Sequence, residues 1–445
     1  MEKFKPSMFN YYMEYGEDLV LYNSFQGTKS ICQVSKEKKE TIREWLNQER
    51  EVDTNCSEFN ILQDKGFFIL ENVNEYNKRN LLYTQFICDH VLYLVVHTTK
   101  ECNFRCQYCY LDFESKMVSG EVRESIVKFI QKNLYRFSSV RISWFGGEPL
   151  LGMDTIEYIS EKVMKICKKA KKPYFSSITT NGYLLTPEKI EKLIKYNVNS
   201  YTITIDGLAK THDELRFLKG KQPTFDKLIS NLLYIKNNVK CSKLRIVIRT
   251  NLTKEIAKYI DEYYEFYNTT FGDDRRFSLF VRPVRDAGGD RVKEITDTLL
   301  TNEEMDEILL YLAKKSKMNG IDFMSNYSEL QPAGYTCPAT CIGKYTIDVE
   351  GKVSKCDSVE EGLEIGYLDK DGNLILSGTH EEDWITGCFQ SIPECEDCFF
   401  SATCFKGTCP IGRTIKCNLS CKMRTKEIDA LLRLYLASNE VTMIE

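Results

Sequence analysis

Long apolar runs are missing from this chain of 445 residues. The longest, Val91-Leu-Tyr-Leu-Val-Val96, is far short of a membrane span, and the start Met1-Glu-Lys-Phe-Lys-Pro6 has no apolar signal core. A soluble, cytoplasmic protein with no membrane partner is therefore expected. Charge of one sign is lacking as well: 60 Lys+Arg stand against 64 Asp+Glu, and both signs are scattered. That balance argues against a nucleic-acid partner. Histidine is scarce, and His90, His97, His212 and His380 lie far apart in sequence, offering neither a His-based metal site nor a Cys–His nucleophile. No repeat of fixed length and no low-complexity tract is present. Cysteine, by contrast, occurs 18 times. A chain able to bury a large core needs no disulfide staples. In a reducing compartment, thiols at short regular spacings hold metal more often than they pair, so the composition points to metal or iron–sulfur chemistry.

Residues 1–90 are predicted to form a small separate domain. Leu19–Tyr22 and Lys29–Val34 flank the turn-forming Asn23-Ser-Phe-Gln-Gly27; residues 38–48 put Ile42, Trp45 and Leu46 at helical spacing; Ser57 caps a second helix carrying Phe59 and Leu62; and Phe67–Leu70 reads as a strand. This order resembles a winged helix-turn-helix, although the balanced charge disfavours DNA. From 91 to about 285, strands alternate with helices, as in βα units around a parallel sheet. Six strands are expected: Val91–Thr98, Val140–Phe145, Tyr174–Thr180, Ser200–Ile205, Leu244–Thr250 and Phe277–Arg282. Six units are too few for a closed eight-fold barrel. The expected fold class is α/β, a partial (β/α)6 barrel over 91–300 with its chemistry at the carboxyl ends of the strands. A linker with a helix at Glu303–Leu312 follows over 301–330. Residues 331–445 then form a cysteine-rich third region, ending in a helix over Thr425–Leu436.

Directly after the first barrel strand stands Cys102-Asn-Phe-Arg-Cys106-Gln-Tyr-Cys109. Three thiolates on one tight loop can hold three irons of a [4Fe–4S] cube and leave the fourth open. Spacing alone leaves buried thiols or a zinc site as alternatives. The triplet resembles the signature of radical S-adenosylmethionine (SAM) enzymes, and further motifs at successive strand ends extend the resemblance over roughly 91–285. The resemblance implies that Cys102, Cys106 and Cys109 are the catalytic cluster ligands. It implies that Gly146-Gly147-Glu148-Pro149 holds the amino group of SAM, with Glu148 accepting the ammonium, and that Tyr108 is the aromatic beside adenine. It places Thr179, Thr180, Asn181, Asp206 and Arg216 at ribose- and carboxylate-contacting positions.

Downstream, Cys341 and Cys356 enclose Gly351, and Cys395, Cys398, Cys404 and Cys409 follow, with Cys417 and Cys421 beyond. This layout resembles the SPASM extension, which carries two auxiliary [4Fe–4S] clusters. The resemblance implies Cys337, Cys341, Cys356 and Cys409 for the first, and Cys395, Cys398, Cys404 and Cys421 for the second, with Cys417 as the alternative to Cys421. Cys409 departs from the family pattern, which has three rather than four residues after the preceding cysteine. If Cys337 is not a ligand, the first auxiliary cluster keeps an open iron. A zinc ribbon is the alternative for this region. Cys32, Cys56, Cys88, Cys167, Cys241 and Cys388 have no partner at useful spacing and read as ordinary thiols.

The implied cofactors are SAM and three [4Fe–4S] clusters, one for radical formation and two auxiliary. A module of about 90 residues ahead of such a core resembles the leader-recognition element of ribosomal-peptide maturases, which capture a peptide by strand addition. The expected partners are a precursor peptide, its leader bound by residues 1–90 at Leu19–Tyr22 or Lys29–Val34, and an electron donor of flavodoxin or ferredoxin type. The implied activity is thioether formation between a Cys sulfur and a carbon of that peptide, as in sactipeptide and ranthipeptide maturases. The alternatives are carbon–carbon crosslinking, Cys/Ser oxidation of the sulfatase-maturase type and, outside enzymes, a zinc-binding DNA-associated regulator.

Overall fold

The computed structural model describes residues 3–284, 290–324, 326–357, 362–378, 380–390, 392–406, 410 and 425–445. Five short strands come first: β1 (Phe4–Pro6), β2 (Asn10–Tyr15), β3 (Asp18–Asn23), β4 (Gly27–Val34) and β5 (Phe68–Leu70). β2 and β3 are joined by the two-residue loop Gly16-Glu17, with Gly16 at φ +64°, and β3 pairs antiparallel with β4. β1 pairs with β5. One sheet face, through Leu19, Leu21, Cys32 and Val34, packs on Ile42 and Trp45 of the helix Lys36–Leu46 and on Phe59 and Leu62 of the helix Ser57–Asp64. The cap of the second helix is Cys56, whose sulfur accepts the Phe59 N–H, and not Ser57, which is already its first helical residue.

Six strands then run parallel as neighbours in chain order: β6 (Val91–His97), β7 (Ser139–Phe145), β8 (Tyr174–Thr180), β9 (Val198–Thr204), β10 (Arg245–Leu252) and β11 (Phe277–Pro283). This is the partial barrel that the strand–helix alternation predicts. The crossing helices carry their expected signals, Ser119 capping Gly120–Asn133 and Thr186 capping Pro187–Lys195 with proline at the first turn. The sheet continues on both sides. β12 (Phe323–Met324) pairs parallel with β11, and β13 (Lys344–Ile347) pairs parallel with β6. Antiparallel β14 (Lys352–Ser354), β15 (Glu364–Leu368) and β16 (Leu374–Leu376) complete eleven strands.

By their contacts the residues divide into two compact units: 90–325 with 343–381, and 1–89 with 326–342 and 382–445. In the second unit, β17 (Thr442–Ile444) runs parallel to β4, giving the order β17-β4-β3-β2, and Ile444 is buried in the same core as Trp45. The strand edges expected to take a peptide are therefore corrected. β3, which contains Leu19–Tyr22, is interior, and the Cys32–Val34 half of Lys29–Val34 on β4 is paired with β17. Among the described residues the edge strands of this sheet are β2 and the three-residue β17, and β2 is the longer of the two. The opposite face of the sheet, through Met13, Val20 and Tyr22, packs on Leu330, Phe400, Cys404 and Leu432. No helix of the described residues is long and apolar enough to cross a membrane.

Candidate functional site

A cavity of about 610 Å³ opens at the carboxyl ends of the barrel strands, and Cys102, Cys106 and Cys109 all line it. The loop bearing them leaves β6 and is stitched to the segment 215–219. Arg105 N donates to Phe217 O (2.8 Å), Gln107 N to Leu215 O (3.0 Å), and Lys219 N to Asn103 O (2.9 Å). Burial pushes the Cys102 thiol up to about 12 and the Cys106 thiol up to about 11, with the neighbouring thiols adding to both shifts. The thiols are therefore protonated near neutrality, and ligation must release those protons.

Gly146 and Gly147 follow β7 and line the same cavity. They pack against the start of the cluster loop. A Cβ on Gly147 would stand 2.1 Å from the Glu101 carbonyl oxygen, and one on Gly146, at φ +113°, 2.4 Å from that of Thr99. Only glycine allows this approach, which Gly147 N–H and Glu148 N–H seal by donating to Thr99 O and Glu101 O, each at 2.9 Å. Glu148 is buried, and its carboxylate accepts from Thr180 Oγ1 (2.6 Å), Asn181 N (2.8 Å) and Leu150 N (3.0 Å), so it ties the end of β7 to the end of β8. One acceptor site of its four remains for an ammonium. Pro149 starts the turn after it, and the Pro149 carbonyl accepts from Thr98 Oγ1 at 3.2 Å. Asn181 Nδ2 reaches Asn103 Oδ1 at 2.8 Å and lies 3.9 Å from the Cys102 sulfur; Thr179 and Thr180 line the cavity beside it.

Across the chamber, Tyr108 donates to the buried Asp206 carboxylate and accepts from Arg216 Nη1 (2.6 Å) and Asn251 Nδ2 (3.0 Å). Asp206 also accepts from Asn251 N at 2.7 Å, and burial raises its pKa. Arg216 is buried, its guanidinium 5.6 Å from the centre of the Phe104 ring. The triplet loop, β9 and β10 are thus locked together by one polar network.

The thiol triplet fits a cluster better than a single ion. Among the described residues no three His, Cys, Asp or Glu side chains converge as one metal ion requires. A cube takes each thiolate on a different iron, so three thiols distributed around one chamber suit it. Of the auxiliary candidates, Cys356 lines the chamber. Cys337, Cys341, Cys395, Cys398 and Cys404 belong to the other unit, where Cys398 and Cys404 share one core with Phe400. Cys409, Cys417 and Cys421 lie outside the described residues.

The structure adds wall residues that motif reading missed: Tyr93, Arg249, Asn251, Arg282 and Asp357. Asp357 directly follows Cys356. The arginines lie on strands already predicted, where the period of two points alternate residues to the lumen. His97, at the end of β6, is buried with no partner on Nε2, and burial brings its pKa down to about 4.

Comparison with known proteins agrees with this geometry. The sequence family described as the Radical SAM superfamily matches residues 96–263. The chain is 24% identical over 335 residues to the cysteine-type anaerobic sulfatase-maturating enzyme of Clostridium novyi, covering 71% of this chain and 86% of that one. It is also 24% identical over 343 residues to the serine-type enzyme of Bacteroides thetaiotaomicron, covering 70% and 80%. In fold it is similar to native anSMEcpe with bound AdoMet (TM-score 0.60, 18% identity, 78% of this chain and 96% of that one). It is similar as well to Streptococcus suis SuiB bound to precursor peptide SuiA (TM-score 0.50, 16% identity, 91% and 95%). With its cysteine triplet, glycine-rich turn and polar network at the strand ends, this chain carries a radical SAM domain.

Proposed function

We propose that the protein is a radical SAM maturase of a ribosomally made peptide and that it installs thioether links between a Cys sulfur and a carbon. The observation that carries this reading is the module at the start of the chain, a small α/β fold whose sheet offers the β2 edge for strand addition beyond the barrel's own needs. Proteins of similar fold bind peptides: SuiB was solved bound to precursor peptide SuiA, and anSMEcpe with AdoMet and the Cp18Cys peptide.

Cys102, Cys106 and Cys109 would hold a [4Fe–4S] cluster, whose chemistry there would be one-electron reduction of SAM to yield a 5′-deoxyadenosyl radical for hydrogen abstraction. The chain's own groups position and shield. Gly146 and Gly147 admit SAM to backbone range, Glu148 offers its remaining acceptor site, Asn181 and the Tyr108–Asp206–Arg216 network hold the polar groups, and the chamber wall excludes water. Cys337, Cys341, Cys356 and Cys409 hold one auxiliary cluster, and Cys395, Cys398, Cys404 and Cys421 the other.

The second reading, Cys/Ser oxidation, is favoured by the 24% identity to sulfatase-maturating enzymes over 70% or more of the chain. Mass spectrometry of Cys-containing precursors after turnover separates the two. Loss of two hydrogens with the sulfur retained and no longer alkylatable supports the thioether; loss of the sulfur supports oxidation; an unchanged alkylatable Cys beside a new carbon–carbon link refutes both.

A further inference from the structure

The lumen of the barrel carries a charge pattern that cluster and SAM binding do not use. Ser143, Thr179 and Thr204 give the chamber a lining of short hydroxyl groups. Cations project into it. Arg249 stands two residues before Asn251 on β10, so both face the lumen, and Arg282 of β11 lies opposite Asn251. Both arginines line the chamber, and the buried Arg249 Nε has no hydrogen-bond partner.

The carboxylates nearby are largely committed. Glu148 accepts from three protein donors, and Asp206 is held by Tyr108 and Asn251 with Arg216 3.7 Å away. Asp357 is the remaining anion of the wall. A buried N–H without an acceptor costs free energy until one arrives. Arginine presents a planar fork that matches a carboxylate, and a low-dielectric pocket of one sign selects ligands of the other. Arg216 is bound into the Tyr108 network, whereas the buried Nε–H of Arg249 has no acceptor and remains for the substrate.

Resting on the peptide reading above, we propose that Arg249, with Arg282, binds a substrate carboxylate in the lumen, that of an Asp or Glu side chain beside the residue to be modified. The enzyme therefore selects acidic core peptides. A neutral segment leaves the Arg249 Nε–H unmatched, and a basic one meets like charge.

The test uses reconstituted holoenzyme with SAM and fluorescein-labelled, C-amidated peptides containing one Cys. Asp is stepped through the flanking positions, with an Asn twin of each and an Asn twin ending in a free carboxylate. At its best position the Asp peptide should bind about tenfold more tightly than its Asn twin, about 1.4 kcal/mol. Arg249→Gln should erase that preference, Arg249→Lys should retain part of it, and Arg282→Gln should reduce it, a coupling between two particular groups that a merely structural role would not produce. Equal binding of every Asp and Asn pair by the wild type overturns the subsite while leaving the peptide reading intact. No binding of any peptide overturns both. Tight binding of the free-carboxylate Asn peptide alone moves the site to a chain terminus and overturns the side-chain assignment. A preference that survives Arg249→Gln while SAM affinity falls puts this guanidinium on SAM and overturns the proposal.

Discussion

Cys102 is the residue on which the proposed chemistry turns, because its thiol is buried beside Asn181 and shares a chamber with Cys106 and Cys109. Cys102→Ala should abolish reductive SAM cleavage, read as 5′-deoxyadenosine release, and leave precursor peptide binding intact; persistent cleavage would refute the site. Gly147→Ala tests the seal between the cluster loop and the glycine-rich turn. Its Cβ cannot fit 2.1 Å from the Glu101 oxygen, and the strain should cost about 1–3 kcal/mol and lower SAM affinity about tenfold in equilibrium dialysis. His97 sets a pH limit. Its pKa falls from 6.5 to about 4 on folding, through burial first, with Lys344 and Lys100 lowering it and Asp357 raising it. The unfolded chain therefore binds the proton more tightly, and stability is lost as pH falls from about 6.5 to 4, by roughly 3 kcal/mol. His97→Leu should flatten the acid-side decline of the thermal unfolding midpoint; an unchanged slope would assign that decline to other groups.

At the scale of elements, the sheet of the first residues decides how a peptide can dock. The two-residue loop Gly16-Glu17 makes Tyr15–Asp18 the closing pair, so by antiparallel alternation the N–H and C=O of Tyr12 and Glu14 point away from β3. Glu14 O accordingly lies within reach of Arg433 Nη2, at 3.5 Å. Proline at Tyr12 removes an outward donor without breaking the β2–β3 ladder. Tyr12→Pro should weaken precursor binding at least about tenfold relative to Tyr12→Ala, measured by fluorescence anisotropy. Equal affinity of the two variants would remove β2 as the docking edge. Truncation before Thr442 uncovers β4, and peptide affinity that rises on this truncation would show β17 and the peptide competing for one edge. Deletion of residues 1–90 is a poor test, because Met13, Val20 and Tyr22 share a core with Leu330, Phe400 and Cys404.

For the whole molecule the decisive number is metal content. Three [4Fe–4S] clusters give about 12 iron per chain in anaerobically reconstituted protein, and this is the expected value. About 4 would keep radical chemistry and remove the auxiliary clusters, and zinc without iron would overturn the enzyme reading. The two units make different contributions to that count: the barrel with residues 343–381 holds the triplet and Cys356, and the other unit holds Cys337, Cys341, Cys395, Cys398 and Cys404. Selective loss of iron on replacing Cys398 and Cys404, with SAM cleavage retained, is the expected signature of the second auxiliary cluster.

Local chemistry made much of this legible in the sequence. Six runs of β-branched and aromatic residues separated by capped helices dictated the parallel barrel, and the spacings at Cys102–Cys109 and Gly146–Pro149 marked the site, because these motifs work through neighbours close in the chain. Long-range pairing decided the rest. Nothing in Thr442–Ile444 says that it adds to β4, and nothing in Lys344–Ile347 that it adds to β6, since strand partners distant in sequence are selected by complementary buried faces. Arg249 and Arg282 are ordinary strand residues until the sheet curls and turns one face of β10 and β11 into the wall of a chamber. The sequence by itself determined the barrel strands and marked the cysteine triplet that lines the chamber, through side-chain periodicity and motif spacing. Only the tertiary structure decided which strands form the sheet edges and which charges face the chamber, because both depend on what the folded chain brings alongside.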